Sequence, residues 1–507
     1  MKKLSFLMAA LLVAMTGCQK EPQVTPDGET NVAGKSYVSV NISLPNLPGT
    51  RANDNFNAGS IKEYQVNDIN LVFFQDGAYM DHHELVVPVS WSSANETTNI
   101  TTTHSTGAIE VNSPSINEVL VLINSKKIFP TANDLKKNFT TLNNTMETAI
   151  GNIADIDDPN FFMSNAPLRV GGNVQYLVPV VTSNDKDNTT PANVYVERAS
   201  AKIEFIPGNS FTQPANGKVV FSKWELDITN KAFYPVRQVD DAWSTYPLYG
   251  GNSGIPANPD RIYYAKDHNY DSFITGSLDD ELKNDATKVN RALNTVAYCH
   301  ENTFDIANMK EKQTTRIIAE ATYMPTNPVT DGTEVWDSET PSTWYKVGSG
   351  NVAYTPEGLK KVLAAAIDPA DATALDSFIA ATDAGVADVT FTTSGKKASD
   401  IVGTIYRYTN GVCYYPIRIR HFTDIELGYA SAAEFESSFL TGYKSKDLGR
   451  YGVVRNNWYQ ISVNSVSSPG EPTIPEAGED LDDKTKAYLS CNINILAWCL
   501  RTHSVDL

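Results

Sequence analysis

Few residues in this sequence have types and spacings that point to chemistry, and they sit mostly near its ends. Met15-Thr16-Gly17-Cys18 follows an apolar run, Leu4 to Met15, that Lys2-Lys3 precede. A basic start, a short apolar stretch and small residues before a cysteine form a secretory address whose thiol can take a lipid, so residues 1–17 are expected to be a lipoprotein signal and Cys18 the lipidation site. Further on, Pro45-Asn46-Leu47-Pro48-Gly49-Thr50-Arg51-Ala52 is a loop-forming stretch with a single Arg, a bond that a trypsin-like protease can cut between Arg51 and Ala52. Elsewhere the candidates are poor. The histidines are scattered, and in His82-His83-Glu84 neighbours on a strand would point to opposite faces, which does not make a metal pair. Asp155-Ile156-Asp157-Asp158 and Asp185-Lys186-Asp187 lack the glycine and distal glutamate of a calcium loop and read as solvated turns. Cys299 and Cys413 lie in apolar strands, and Cys491 and Cys499 are too far apart for a disulfide if the segment between them is extended. No HExxH, GxSxG, Walker A, GxGxxG or CxxC pattern occurs. No catalytic residue, metal or cofactor is assigned.

The elements that carry these residues read as β. With 507 residues, 41% hydrophobic and 10% aromatic, the chain can build more than one core. Acidic residues outnumber basic ones 59 to 41, an excess of 18 that argues against nucleic acid as a partner and against a polybasic membrane dock. Alternating apolar runs bounded by Asn, Gly, Pro and Asp recur, as in Ile69–Phe74, Val119–Ile123, Lys202–Phe205, Arg316–Ala321 and Tyr459–Val463. This period predicts a mainly β protein of antiparallel sandwiches. Helical inserts are expected over Ala132–Ile150, over Pro356–Ala384 with a break at Pro369, and over Ser431–Leu440. The polar stretch 182–191 predicts a boundary between domains at 52–190 and 191–470. Residues 467–480 predict a Pro-rich linker held away from the sheet, so that 471–507 form a linker and a final strand.

The two ends match one another. Val38, Val40, Ile42 and Leu44 line one face of a strand just before Arg51, within a segment 18–51 that a cut would release. At the other end Leu489, Cys491, Ile493, Ile495 and Ala497 form one continuous apolar face. If Arg51 is cut, the first strand can leave, and the vacated groove and unpaired edge can take the tail of another copy. A donor at one end and an acceptor at the other makes a head-to-tail contact, which builds filaments. From these residues alone, ordinary strands with an incidental Arg remain an equal reading.

Several blocks resemble a known family. Leu448-Gly449-Arg450-Tyr451-Gly452-Val453-Val454-Arg455-Asn456-Asn457-Trp458-Tyr459 is similar to the type V pilus fimbrillins, specifically the short-fimbria major (shaft) subunit family. So are Glu197–Lys202, Tyr298–Thr303, Gln313–Arg316, Tyr414–Phe422 and the tail around Ala497-Trp498. The resemblance implies two tandem transthyretin-like Greek-key β-sandwich domains and an outer-membrane lipoprotein precursor reached through the periplasm. An Arg-specific protease would then cut after Arg51, and strand exchange would assemble a cell-surface fimbrium. The implied partners are further copies of the chain, anchor and tip subunits, that protease, and host or bacterial surface ligands. Arg455 and Asn456 are expected to be hydrogen-bonded turn groups. Rival readings are a non-polymerising surface lipoprotein that binds glycans, whose tail would pack on its own domain, a fimbrial tip subunit, and an exported hydrolase.

Overall fold

The computed structural model describes residues 35–44, 60–88, 103–170, 173–208, 210–240, 243, 264–271, 282–283, 289–348, 352–484, 489–497 and 500–501. Cys18, Arg51 and Ala52 lie outside them. The chain is mainly β, and its strands form two sandwiches of one design.

In the first unit the strands are β1 (Ser36–Ser43), β2 (Ile69–Gln75), β3 (Ala78–Leu85), β4 (Thr103–Val111), β5 (Glu118–Ile123), β6 (Met163–Asn165) and β7 (Pro191–Arg198). β2 pairs with β3 and β5, and β5 pairs with β6, all antiparallel. β1 pairs antiparallel with β4 and parallel with β7. β7 joins the two layers: Pro191–Tyr195 run beside β1, and Val196–Arg198 run beside β6. The layers close over Val38, Val40, Ile42, Leu71, Phe73, Val119, Val121 and Val194, the inward set that period-two alternation selects.

The second unit repeats this order with β8 (Ser200–Phe205), β9 (Gly217–Asp227), β10 (Arg291–Ala292), β11 (Val296–His300), β12 (Arg316–Pro325), β13 (Val412–Arg418) and β14 (Asn457–Val466). β9 pairs with β10 and β12, and β12 with β13; β8 pairs antiparallel with β11 and parallel with β14. The pairings named among β1 to β6 therefore have counterparts seven strands later, as does the parallel contact of first strand with last. The β6–β7 pairing has none, nor has that of β5 with Val178–Pro179. The core between the layers holds Ile203, Phe205, Trp224, Ile317, Tyr415, Tyr459 and Ile461, with Cys299 and Cys413 as small buried hydrophobes. Two strands follow the repeat: β15 (Leu489–Ala497) on the free edge of β14, and the short β16 (Leu500–Arg501).

The strands pass from one unit to the next at Ala199, between β7 and β8, a few residues beyond the polar stretch 182–191. Tyr37 and Ser183 exchange backbone hydrogen bonds of 2.8 and 2.9 Å, so that stretch is a loop knitted to β1 and leading into β7. The helix expected over Ala132–Ile150 is two four-residue turns, Ala132–Leu135 and Phe139–Leu142. Asn143 explains the stop: its amide donates to the Val236 carbonyl at 3.0 Å and accepts the Val236 N–H, a bond outside any helix. Between β12 and β13 an insert has its own core, including Tyr345, Leu359, Leu363, Phe378 and Ile405. Its helices α1 (Pro356–Ala364) and α2 (Ala372–Ala380) are separated by a turn at Pro369–Asp371. Thr355 caps α1 by accepting the Gly358 N–H at 3.0 Å, with Pro356 at the first position. The third insert is α3 (Ala432–Phe439), capped by Ser431.

Candidate functional site

β1 is central to its three-stranded layer. Val38, Val40 and Ile42 are fully buried and Leu44 nearly so, and burial of four such side chains is worth about 1.5–3 kcal/mol each. A bulge between Ser39 and Asn41 shifts the β4 register there, and Thr106 Oγ1 accepts the Val40 N–H at 3.1 Å. Among the described residues β4 pairs with β1 alone. Loss of β1 would therefore strip β4 of its ladder, bare the amino-terminal half of β7, and open the core along one slot. The segment joining β1 to the rest of the chain is 45–59, which contains Arg51 and Ala52.

Beyond that segment the chain is pinned at once. Glu63 is fully buried, and its carboxylate takes an ion pair from Lys202 Nζ at 2.7 Å and the Tyr298 hydroxyl at 2.5 Å. Burial works against its charge, but Lys202, Tyr298 and Arg198 hold its pKa below the ordinary value. Arg198 Nε donates to the Glu63 carbonyl at 3.1 Å and its guanidinium lies over the Tyr64 ring at 4.6 Å. Lys202 in turn sits 3.7 Å over the Trp458 ring.

At the other end, β15 lies antiparallel on β14, from Asn457 opposite Ala497 to Val466 opposite Leu489. Cys491 is fully buried in the second core, where burial pushes its thiol pKa up. The backbones of Leu489, Ile493, Ile495 and Ala497 are described, but their side chains are not. The tail therefore packs on its own sandwich, as the non-polymerising rival expects, instead of standing apart from it. The Pro-rich linker is likewise bound to the body: Glu471 exchanges backbone hydrogen bonds with Tyr414, and Arg316 Nη2 reaches the Pro475 carbonyl at 2.7 Å. Its carbonyls satisfy groups at the β12–β13 edge, which explains why prolines do not lift it away.

The family-like blocks meet at the seam between the units. Arg455 and Glu301, both fully buried, pair at 2.6 and 3.0 Å, and Arg455 also donates to the Tyr234 and Pro235 carbonyls. Asn456, at φ +59°, donates its N–H to the Ser200 carbonyl at 2.7 Å and accepts the Arg198 N–H at 3.3 Å. Arg455 and Asn456 are thus hydrogen-bonded junction groups. Sequence reasoning did not name Arg198 and Glu301 as their partners, although both stand in the family-like blocks Glu197–Lys202 and Tyr298–Thr303, and it missed Glu63 as the partner of Lys202.

A cavity of about 580 Å³ opens at the seam, lined in part by Glu147, Thr148, Lys231 and His300. His300 Nε2 faces the Thr148 carbonyl at 3.0 Å, and its ring stacks on Phe233. Burial lowers its pKa from 6.5 to about 4. The unfolded chain therefore binds more protons between these values, and this group's contribution to stability, about 3 kcal/mol, is present above pH 6.5 and lost as pH falls toward 4. Asp482, raised to about 7 by burial, acts with the opposite sign, so the effect is read against a variant. His300→Gln is expected to be less stable than the native chain at pH 7.5, with the gap closing by pH 4.5 in urea midpoints. A constant gap would refute this.

The other candidates stay local. His82 contacts the Tyr79 hydroxyl at 2.9 Å, and His83 contacts Asp81 at 3.2 Å. Asp155 and Asp185 accept backbone N–H groups of their own turns.

Residues 406–504 match the family model described as major fimbrial subunit protein type IV, fimbrillin, C-terminal. That stretch contains β14, β15 and the Arg455 block. A comparison with curated proteins finds no match. Among solved structures, a putative cell adhesion protein from Parabacteroides distasonis is similar at 11% identity, covering 91% of this chain and 96% of its own, with TM-score 0.41. A fimbrilin from Porphyromonas gingivalis gives 13% identity, coverage of 92% and 98%, and TM-score 0.40. The tip fimbrial protein from the same organism gives 12% identity, coverage of 90% and 99%, and TM-score 0.35. Over residues 406–504 this mainly β chain is similar to the fimbrillins. It resembles the type V fimbrillins.

Proposed function

We propose that the chain is a structural shaft subunit of an adhesive surface fimbria, not an enzyme. It is exported as a lipoprotein precursor bearing its lipid on Cys18, is cut after Arg51, and polymerises head-to-tail by strand exchange. The observation that carries this is an asymmetry in the repeat: β1 is integral to the first sandwich yet joined to the rest of the chain through the segment holding Arg51, while β15 is surplus to the second.

With β1 in place the slot is filled, so an uncut chain has nowhere to donate β15 but its own sheet edge. Cutting between Arg51 and Ala52 severs β1 while Glu63 keeps the mature chain pinned. A second copy's β15 then restores the ladder beside β4 and β7, each hydrogen bond adding about 0.5–1.5 kcal/mol. Anchor and tip subunits and surface ligands are the remaining partners of such a shaft.

The packing of β15 on its own sandwich supports the second reading, a lipoprotein that keeps both its lipid and its own tail. Arg51→Ala separates the two. Under strand exchange, treatment with an Arg-specific protease converts the native chain to polymers whose amino-terminal residue is Ala52, whereas Arg51→Ala stays monomeric and membrane-associated. Polymers of uncut Arg51→Ala would overturn the proposal.

A further inference from the structure

The linker does more than join β14 to the tail. Tyr415 and Tyr408 hydroxyls donate to the Ser468 and Gly470 carbonyls at 3.1 and 2.9 Å, and the Glu311 N–H donates to the Asp480 carbonyl at 3.0 Å. It then ends in a turn, Asp482–Lys484, in which Asp482 is buried. The Asp483 carboxylate accepts Arg450 Nε at 2.8 Å, Arg420 Nη2 at 3.2 Å, the Tyr443 hydroxyl at 2.7 Å and the Tyr451 hydroxyl at 3.0 Å. Asp482, 1% exposed, takes the Thr314 hydroxyl at 2.5 Å and an ion pair from Arg418 at 3.1 Å. The two adjacent acidic residues thus face three arginines from two segments, Arg418 and Arg420 at the end of β13 and Arg450 beyond α3. Asp483 carries the charge-assisted bonds, and removing one partner of such a pair held out of water is costly, which keeps the turn on the body.

The position of this turn matters. Residues 485, 486, 487 and 488 are all that separate it from Leu489, the first residue of β15. Four residues extend to about 14 Å at most.

We propose that the Asp482–Asp483 turn is a mooring that fixes where the tail strand leaves its own subunit, so that the joint to a second copy of this chain is short and set in direction. Resting on the strand-exchange reading above, it assigns Asp482 and Asp483 as positioning residues for that interaction. A moored tail has little length to spend as slack, and a short tether holds successive copies in a narrow range of angles. Without this turn the chain would next be held at the Asp480 carbonyl by the Glu311 N–H and at Pro475 by Arg316, giving the same strand contact on a longer leash.

Two measurements test this. Hydrogen exchange on the chain ended after Lys486 should leave residues 475–484 as protected as in the full chain, because the mooring precedes the tail; protection lost with the tail would overturn the proposal. In the full chain, Asp482→Asn with Asp483→Asn should leave polymer yield within about two-fold but shorten filament persistence length in electron micrographs at least three-fold. Unchanged persistence length, with 475–484 exchanging freely, would also overturn it. Whether the shortened chain polymerises judges strand exchange alone, so failure of the mooring and failure of that reading are told apart.

Discussion

Deletion of residues 487–507 is expected to abolish polymer ladders on denaturing gels while leaving a folded, protease-cleavable monomer. β15 lies outside the seven-strand repeat, so its loss leaves both sandwiches with every strand of their common design. The monomer does lose something: Cys491 leaves the second core and the β14 edge is bared. The Cys491 cavity costs about 1–3 kcal/mol and each lost ladder bond about 0.5–1.5 kcal/mol, set against the entropy of ordering the tail at about 1–2 kcal/mol per residue, so the melting temperature falls without the failure of a domain. The polymer loses everything, because no other described segment follows the second sandwich with strand length and unpaired ancestry in the repeat. Thermal melting and gel ladders on the same sample separate these effects. Ladders that survive the deletion would remove β15 from the mechanism, and a monomer that fails to fold would show that the tail is part of the second sandwich instead of an addition to it.

The second large effect is expected at the seam. Arg455→Ala leaves Glu301 as a buried carboxylate without its guanidinium, and frees the Tyr234 and Pro235 carbonyls from a donor. Breaking one partner of a fully buried pair costs about 3–5 kcal/mol, since the remaining charge keeps its desolvation penalty and loses its compensation. The urea midpoint of Arg455→Ala should fall accordingly. Arg455→Ala combined with Glu301→Ala should recover part of the loss, because no unpaired charge is then left inside. A single-variant loss under about 1 kcal/mol would mean that water reaches the pair. The same seam holds Asn456 against Ser200 and Arg198, so weakening it should also loosen the two sandwiches relative to each other.

These effects trace back unevenly to the sequence. Period-two alternation fixes which residues of β1 and β15 share a face, because a pleated strand has only two sides; Val38, Val40, Ile42 and Cys491 were legible in that way and are buried. The helical inserts at Pro356 and Ser431 were legible from caps and proline, which act within a few residues. The Ala132–Ile150 helix was misread because Asn143 bonds to Val236, a partner 93 positions away that no local pattern contains. Whether the polar stretch 182–191 stands free or is knitted to β1 was not legible for the same reason, since that depends on what it pairs with.

By itself, then, the sequence determined the strands and the strand-forming tail, and it carries the motifs on which the proposed export address and cleavable loop rest, all properties of neighbouring residues. Only the tertiary structure decided that the fourteen strands repeat one pairing scheme, that Glu63, Glu301 and Asp483 close on arginines from distant segments, and that the tail rests on its own edge beside a moored linker. Charge pairs and sheet edges are satisfied by whichever groups folding brings into reach, and a linear order of residues does not say which those are.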